Sequence, residues 1–456
     1  MKVTNVPTGI VIFPAEQAYI IKDITTVKKI ILALFLVIAA IENTWAENYP
    51  YRSDFLWVTV PDHSTWLYNT GEKAVVDVQL YKYGVPVDGT VSYEIADDML
   101  AADAHGTATL KNGRCQITLG TRKKPGFRDL KMTYDVDGKR TSHHIKVGFD
   151  ADKIQPYTKE PSDFRAFWKD NIAKMQKQPL KYTLEDAPEY TTDKMTCQLL
   201  KLQTVAGRSV YAYLFIPKNK GEKSCPVVIC PPGAGIKTIK EPLRHRYYGE
   251  GGCIRIEMEI HGLDPRLPKT TFDEMSHAFN YLSYGIDNRN RYYMKNVYLA
   301  LVRMVDFATT LKEWDGKNVI MQGGSQGGAL SIVGAALDKR VTQCVANHPA
   351  LSDMAGYYEK GRTGGYPHFK REDATLTPST IETLAYFDVV NFARYVECPV
   401  YMTWGYNDIT CPPTTSYAVW NLLKCDKEPL ITPINEHWTS DTTEYGQYQW
   451  IMKHIK

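Results

Sequence analysis

No pair of cysteines in this chain has the C-x-x-C spacing, so neither a zinc ribbon nor a redox dithiol is encoded. No His/Asp/Glu grouping has metal-ligand spacing, and no glycine-rich phosphate or dinucleotide signature follows a strand pattern. The sequence therefore predicts no metal and no cofactor. Charge of one sign is also missing: 54 Lys and Arg against 51 Asp and Glu leave a formal net charge of +3. Basic residues gather only in short clusters such as Arg122-Lys123-Lys124. That removes the electrostatic case for a nucleic-acid partner. No apolar run reaches the roughly 20 residues a membrane-spanning helix needs.

What is present is an ordinary globular composition, 44% hydrophobic and 23% charged over 456 residues, long enough for two domains. Near the N-terminus, Lys28-Lys29 precede twelve apolar residues, Ile30 to Ile41, and then Thr44-Trp45-Ala46. A positive flank, an apolar stretch and small residues at positions −3 and −1 describe a secretory signal cleaved after Ala46. The expectation is a secreted or periplasmic protein with no stable membrane insertion once residues 1–46 are removed. Nine cysteines is an odd number, and Cys225 and Cys230 fall on one expected strand, roughly 16 Å apart when extended. Cys230, Cys253, Cys344 and Cys398 lie in buried-strand patterns and read as small core hydrophobes.

Two patterns divide the remainder. Over 47–150 apolar residues recur at every second position: Ala74, Val76, Val78 and Leu80, then Val91, Tyr93 and Ile95, then Leu130, Met132, Tyr134 and Val136. Six or seven short strands in about 100 residues predict an all-β immunoglobulin-like sandwich. Its His143-His144 pair points to opposite faces and cannot ligate one ion. From 151 to 456 the character changes. Pro161-Ser162-Asp163 is expected to cap a helix with Phe164, Phe167, Trp168, Ile172 and Met175 on its apolar face. An antiparallel pair at 199–205 and 210–217 follows. Short apolar runs at 225–230, 253–260, 318–323, 341–347, 398–404 and 428–433 then alternate with helical stripes, the clearest being Met294, Val297, Leu301, Met304, Ala308 and Leu311. Strands buried on both faces and separated by helices predict an α/β fold with a mostly parallel central sheet.

The chemistry is concentrated at Gly323-Gly324-Ser325-Gln326-Gly327-Gly328. By chance alone roughly one unrelated chain in seven of this length would contain G-x-S-x-G. A strand before it and a helix after it make it the nucleophile elbow of an α/β-hydrolase. The acid and base must follow in the order Ser, Asp or Glu, His, each just past a strand end. Asp408, after Val400–Trp404, and His437, after Leu430–Ile434, satisfy both conditions; Asp353 is the substitute acid. His437 would take the serine proton, and Asp408 would hold the imidazole tautomer. The oxyanion needs two backbone N–H groups. Gln326 is one; Ala234, in Pro231-Pro232-Gly233-Ala234-Gly235, is the other, since prolines have none. His261, His348, Tyr366 and Trp438 are candidates for the pocket wall.

At these residues the chain resembles the acetyl xylan esterase/cephalosporin C deacetylase family, carbohydrate esterase family seven. The likeness runs from about Pro161 to the C-terminus. It rests on Asp163-Phe-x-x-Phe167-Trp168, on Tyr292-Tyr293 with Val297-Tyr298 and Val302-Arg303, on the serine motif, on Tyr386-Phe387-Asp388, and on Asp408 with Pro412-Pro413. The resemblance implies a serine esterase that removes acetyl groups from sugar hydroxyls, commonly as ring-like hexamers. It also implies Ser325, Asp408 and His437 as triad, with Ala234 and Gln326 as oxyanion donors. Two departures stand out. Where the family has His-Gly-Tyr this chain has Pro232-Gly233-Ala234, and where it has Arg-Gly-Gln this chain has His261-Gly262-Leu263. The sandwich is absent from minimal members of the family.

The function expected is a secreted esterase acting on acetylated oligosaccharide of the xylan type, with assembly as a homo-oligomer a further expectation. The alternatives are an α/β-hydrolase acting on another bond, such as a peptidase or a feruloyl esterase, and a glycan-binding protein without turnover.

Overall fold

The computed structural model describes residues 53–456 apart from Ala206, Arg371, Asp373 and Ala374. The expected signal segment, 1–46, lies outside the described residues.

Nine strands fill the first part of the described chain: β1 (Phe55–Pro61), β2 (Leu67–Tyr68), β3 (Ala74–Lys82), β4 (Val85–Pro86), β5 (Gly89–Asp97), β6 (Ala102–Leu110), β7 (Arg114–Gly120), β8 (Gly126–Val136) and β9 (Lys139–Phe149). That exceeds the six or seven expected. Two of the additions are only two residues long, and β6 carries no bulky apolar side chain before its last residue, Leu110. A four-stranded sheet (β1, β3, β4, β7) and a five-stranded sheet in the order β2-β9-β8-β5-β6 result, antiparallel except at β2–β9. Val76, Val78 and Leu80 from the first sheet and Val91, Leu130, Met132, Ile145 and Val147 from the second share one core. The period-two pattern therefore faces inward from both sheets.

The second part is built on one nine-stranded sheet: β10 (Tyr182–Asp186), β11 (Met195–Gln203), β12 (Ser209–Pro217), β13 (Cys225–Cys230), β14 (Ile254–Glu259), β15 (Trp314–Gly324), β16 (Gln343–Asn347), β17 (Val400–Trp404) and β18 (Lys427–Ile431). Its order is β10-β11-β12-β14-β13-β15-β16-β17-β18, antiparallel as far as β14 and parallel beyond. The inner strands β13, β16 and β17 are buried throughout, as expected of a parallel sheet covered on both faces, whereas the last strand, β18, is partly exposed. Val227, Ile229, Val319 and Met321 enter the main core on one side. Their neighbours Val228, Cys230 and Ile320 meet Trp450 and Ile451 of the C-terminal helix Asp441–Lys453 on the other. All nine cysteines are free thiols.

The helix Phe164–Gln176 forms as expected, but Asp163 does not cap it with its side chain. That carboxylate is drawn away to the Tyr386 hydroxyl and the Arg289 guanidinium. The edge strand β10 was not foreseen, because every one of its residues is exposed. No helix among the described residues is long and apolar enough to cross a membrane.

Candidate active site

β15 runs directly into the helix Gln326–Leu337, and Ser325 is the hinge between them, at φ 59° and ψ −122°. L-residues seldom adopt that conformation, and it survives only where the surroundings over-determine it. Ser325 N–H donates to Asn347 O at 3.0 Å, and Ser325 O accepts from Ala350 and Ala329. The glycines around it answer to close approach. A Cβ on Gly327 would lie 2.4 Å from Pro231 O, and one on Gly328 would lie 2.5 Å from Asn347 O. The loop after β13 thus presses on the first turn of the helix.

Asp408 and His437 converge on this serine from loops 83 and 112 residues later in the chain (408 − 325 and 437 − 325). His437 Nε2 accepts from Ser325 Oγ at 2.9 Å, and His437 Nδ1 donates to Asp408 Oδ2 at 2.8 Å. This tautomer is the one that satisfies both bonds. Asp408 is fully buried, and its other oxygen accepts from Thr410 N at 2.7 Å and Cys411 N at 2.8 Å. Three directed bonds therefore fix the carboxylate, and the imidazole can swing little.

The remaining sequence candidates fall at different depths. His348 is buried with its ring 4.3 Å from that of His437, and burial followed by the neighbouring imidazole pushes its pKa down to about 4. It is a neutral wall against the base. Trp438 is half exposed and, with Pro232, Gly233, Gly324 and His348, lines a cavity of about 430 Å³ beside the elbow. His261 sits further back. Its Nδ1 pairs with Tyr293 Oη at 3.0 Å and its ring abuts Tyr281, whose hydroxyl donates to Gln326 Oε1 at 2.7 Å. It reaches the elbow through Tyr281. Tyr366 packs edge-on to His368, and burial raises its pKa.

In the loop after β13, Gly235 N–H is already given to Tyr281 Oη at 2.9 Å. Gln326 begins its helix and so has no acceptor for its N–H within it. Asp353, the substitute acid, is spent elsewhere: its carboxylate accepts from Tyr157 N and Thr158 N.

Three groups at the site were not read from the sequence. The buried Cys411 thiol lies beside the triad; burial and then Asp408 raise its pKa, while a hydrogen bond with Ser325 opposes them. Glu259, whose pKa burial raises to about 7, accepts from the backbone N–H of His261, Gly262 and Leu263 and so shapes the loop after β14. The third is Lys146 on β9, fully buried, which reaches across from the N-terminal sheets. Its Nζ donates to Asp408 O at 2.7 Å and pairs with Asp98 Oδ1 at 2.8 Å. Lys146 N–H donates to Asn407 Oδ1 at 2.9 Å, and Asn407 Nδ2 donates to Ile434 O at 3.2 Å. One asparagine thus ties the acid loop to the base loop and to β9.

Ligand atoms of His348, Asp408 and His437 all lie within 4.8 Å of one another, a spacing a metal could use. Both His437 nitrogens and both Asp408 oxygens are already engaged within the triad and its loop. A cation would have to displace those bonds.

A buried acid, an imidazole and a serine on a strained strand-to-helix turn are joined by hydrogen bonds, an arrangement that can carry acyl transfer. Comparison with known proteins agrees with that chemistry. The profile of the acetyl xylan esterase (AXE1) family matches residues 149–454. The chain belongs to that family. It is a carboxylic ester hydrolase. The esterase is 55% identical over 439 residues to "Acetyl esterase Axe7A" of Xylanibacter ruminicola, covering 95% of this chain and 99% of the relative. In fold it is similar to the acetyl xylan esterase from Paenibacillus sp. R4, with TM-score 0.59 and 22% identity over 67% of this chain and 98% of that one. It is likewise similar to acetyl xylan esterase 1 from Thermoanaerobacterium sp. JW/SL YS485, with TM-score 0.56 and 21% identity over the same shares. The family match begins at the last residue of β9, so the nine N-terminal strands of the esterase lie outside it.

Proposed function

We propose that this esterase is exported and removes acetyl groups from acetylated carbohydrates of the xylo-oligosaccharide type, through an acyl-enzyme on Ser325. The observation that carries this reading is His437 joined at once to Ser325 Oγ and Asp408 Oδ2. Ser325 attacks the acetyl carbonyl as His437 accepts its proton. The imidazolium, stabilised by Asp408, then returns the proton to the departing sugar oxygen. Water repeats the cycle and releases acetate. The backbone N–H groups of Ala234 and Gln326 are assigned to the oxyanion: Gly235 N–H is committed to Tyr281 and the two prolines have none, which leaves Gly233 and Ala234 in that loop, and the family resemblance falls on Ala234. The name of the Xylanibacter relative and the family description support acetyl esters as the substrate class.

In this reading residues 47–150 form an immunoglobulin-like sandwich domain, 151–456 the α/β-hydrolase domain, and the chain assembles as a homo-oligomer. Light scattering of the purified protein tests the assembly. Acetate release from acetylated xylo-oligosaccharides, abolished in Ser325→Ala, tests the activity. Equal rates on acetyl and octanoyl esters would overturn the acetyl assignment.

A further inference from the structure

The outer face of the five-stranded sheet carries a polar row that leads toward the catalytic loops. Strand pairing sets it: His105 on β6 faces Glu94 on β5, Glu94 faces Lys131 on β8, and Lys131 faces His144 on β9. Three strand-to-strand steps cover roughly 14 Å. A parallel row of hydroxyls, Ser92, Thr133 and Ser142, runs beside it. The first row does not stop at the sheet. His144 Nε2 lies 3.7 Å from Glu436 Oε1, and Glu436 immediately precedes His437. Between this face and the loop residues Ile409 and Glu436 lies a groove of about 670 Å³. Ile409, 50% exposed, follows Asp408 directly. The loops that supply the acid and the base are therefore also a wall of the groove.

Reaction chemistry says which side the sugar must occupy. His437 Nε2 has to deliver a proton to the departing alcohol oxygen, so the sugar lies on the imidazole side of Ser325. A longer glycan must then leave past the residues that flank His437, and the groove begins there. Pockets for ordinary small ligands are mainly apolar. This one mixes apolar surface with hydroxyls, carboxylates, an ammonium, a guanidinium and imidazoles, which suits a ligand with many hydroxyls and apolar ring faces. The outward face of any half-buried sheet is polar. The recess closed by the two catalytic loops is what sets this face apart.

We propose that this groove binds the unreacting sugar units of an oligosaccharide whose acetylated unit sits at Ser325. The inference rests on the carbohydrate reading above and deepens it: the N-terminal sheets supply the sites that read glycan length.

The test uses the full-length enzyme, a small aryl acetate, and acetylated xylo-oligosaccharides from one sugar to six. The expected result is a kcat/KM that rises with chain length. In the Glu94→Ala/Lys131→Ala variant the six-sugar to one-sugar ratio should fall, by about fivefold for each hydrogen bond lost. Deacetylated xylohexaose should compete with the aryl acetate, and less well in the variant. A length-independent kcat/KM in the unaltered enzyme, or an unchanged ratio in the variant, would overturn the groove while leaving the deacetylase reading intact. Turnover of the aryl acetate with none of any sugar acetate would overturn the deacetylase reading, and the groove with it.

Discussion

The ammonium of Lys146 donates to the backbone carbonyl of Asp408 at 2.7 Å, so a side chain from the N-terminal sheets holds the peptide of the proposed catalytic acid. The same ammonium neutralises Asp98, whose second oxygen accepts from Thr414 Oγ1 at 2.6 Å, six residues beyond the acid. Both charges are almost wholly buried.

Removing one partner of such a pair strands the other. Lys146→Met should therefore cost about 3–5 kcal/mol of stability in a denaturant melt. Lys146→Met combined with Asp98→Asn should cost clearly less, because no bare charge remains. If the acid loop shifts, kcat should fall by about 10- to 100-fold in both variants with little change in KM. Full kcat in the double variant would show that the loop keeps its place without Lys146.

Asp408→Asn isolates the role of the acid. The Oδ1 of Asp408 accepts from Thr410 N and Cys411 N, so an asparagine keeps those bonds only with its amide NH₂ turned toward His437. It would then offer a donor to Nδ1 and favour the wrong tautomer. We expect kcat on an aryl acetate to drop about 10⁴-fold with the fold unchanged. A loss below tenfold would remove Asp408 from the mechanism.

Ala234→Pro deletes the proposed second oxyanion N–H and should lower kcat by about 100- to 1000-fold, with KM nearly unchanged. Gly327→Ala approaches the same loop from the other side, since its Cβ would lie 2.4 Å from Pro231 O. It should lower kcat as well. Unchanged turnover in Ala234→Pro would place the donor elsewhere.

Histidines that desolvation holds neutral make stability depend on pH. His348 and His261 are each pushed down to about 4, mainly by burial, from an ordinary value of 6.5. Between those values the unfolded chain binds protons that the folded chain refuses, so stability present above pH 6.5 is lost as pH falls toward 4. Each full shift corresponds to about 3 kcal/mol as an upper figure. Glu259, raised to about 7 by burial, works in the opposite sense between pH 4.5 and 7. Denaturant melts from pH 7 to 4 should show a smaller loss for His348→Gln than for the unaltered enzyme. The same slope in both would mean that His348 titrates normally.

The three residues proposed as the triad could be picked out because each lies past a strand: Ser325 and Asp408 follow long buried apolar runs, and His437 follows the shorter, partly exposed β18. β13 was bounded to the residue, and β16 and β17 to within two. The strands that escaped lack that mark: β6 reads Ala-Asp-Ala-His-Gly-Thr-Ala-Thr-Leu, and β10 is exposed throughout. Asp163 looked like a helix cap because its partners Tyr386 and Arg289 lie more than 120 residues away. Lys146 was hidden for the same reason. In a period-two strand a lysine reads as solvent-facing, and only the docked loop 262 residues on makes it a buried cation.

Phe127 has one further consequence. Although it belongs to β8, its ring is wholly buried in the core of the hydrolase part, 5.1 Å from the ring of Tyr406 and 5.6 Å from that of Tyr417. A chain trimmed to begin at Asp150 would open a greasy socket there and release Asn407 from its tether. Such a fragment would cling to its neighbours in solution, so an engineer seeking a minimal catalyst would have to refill that hole before discarding the front third of the molecule.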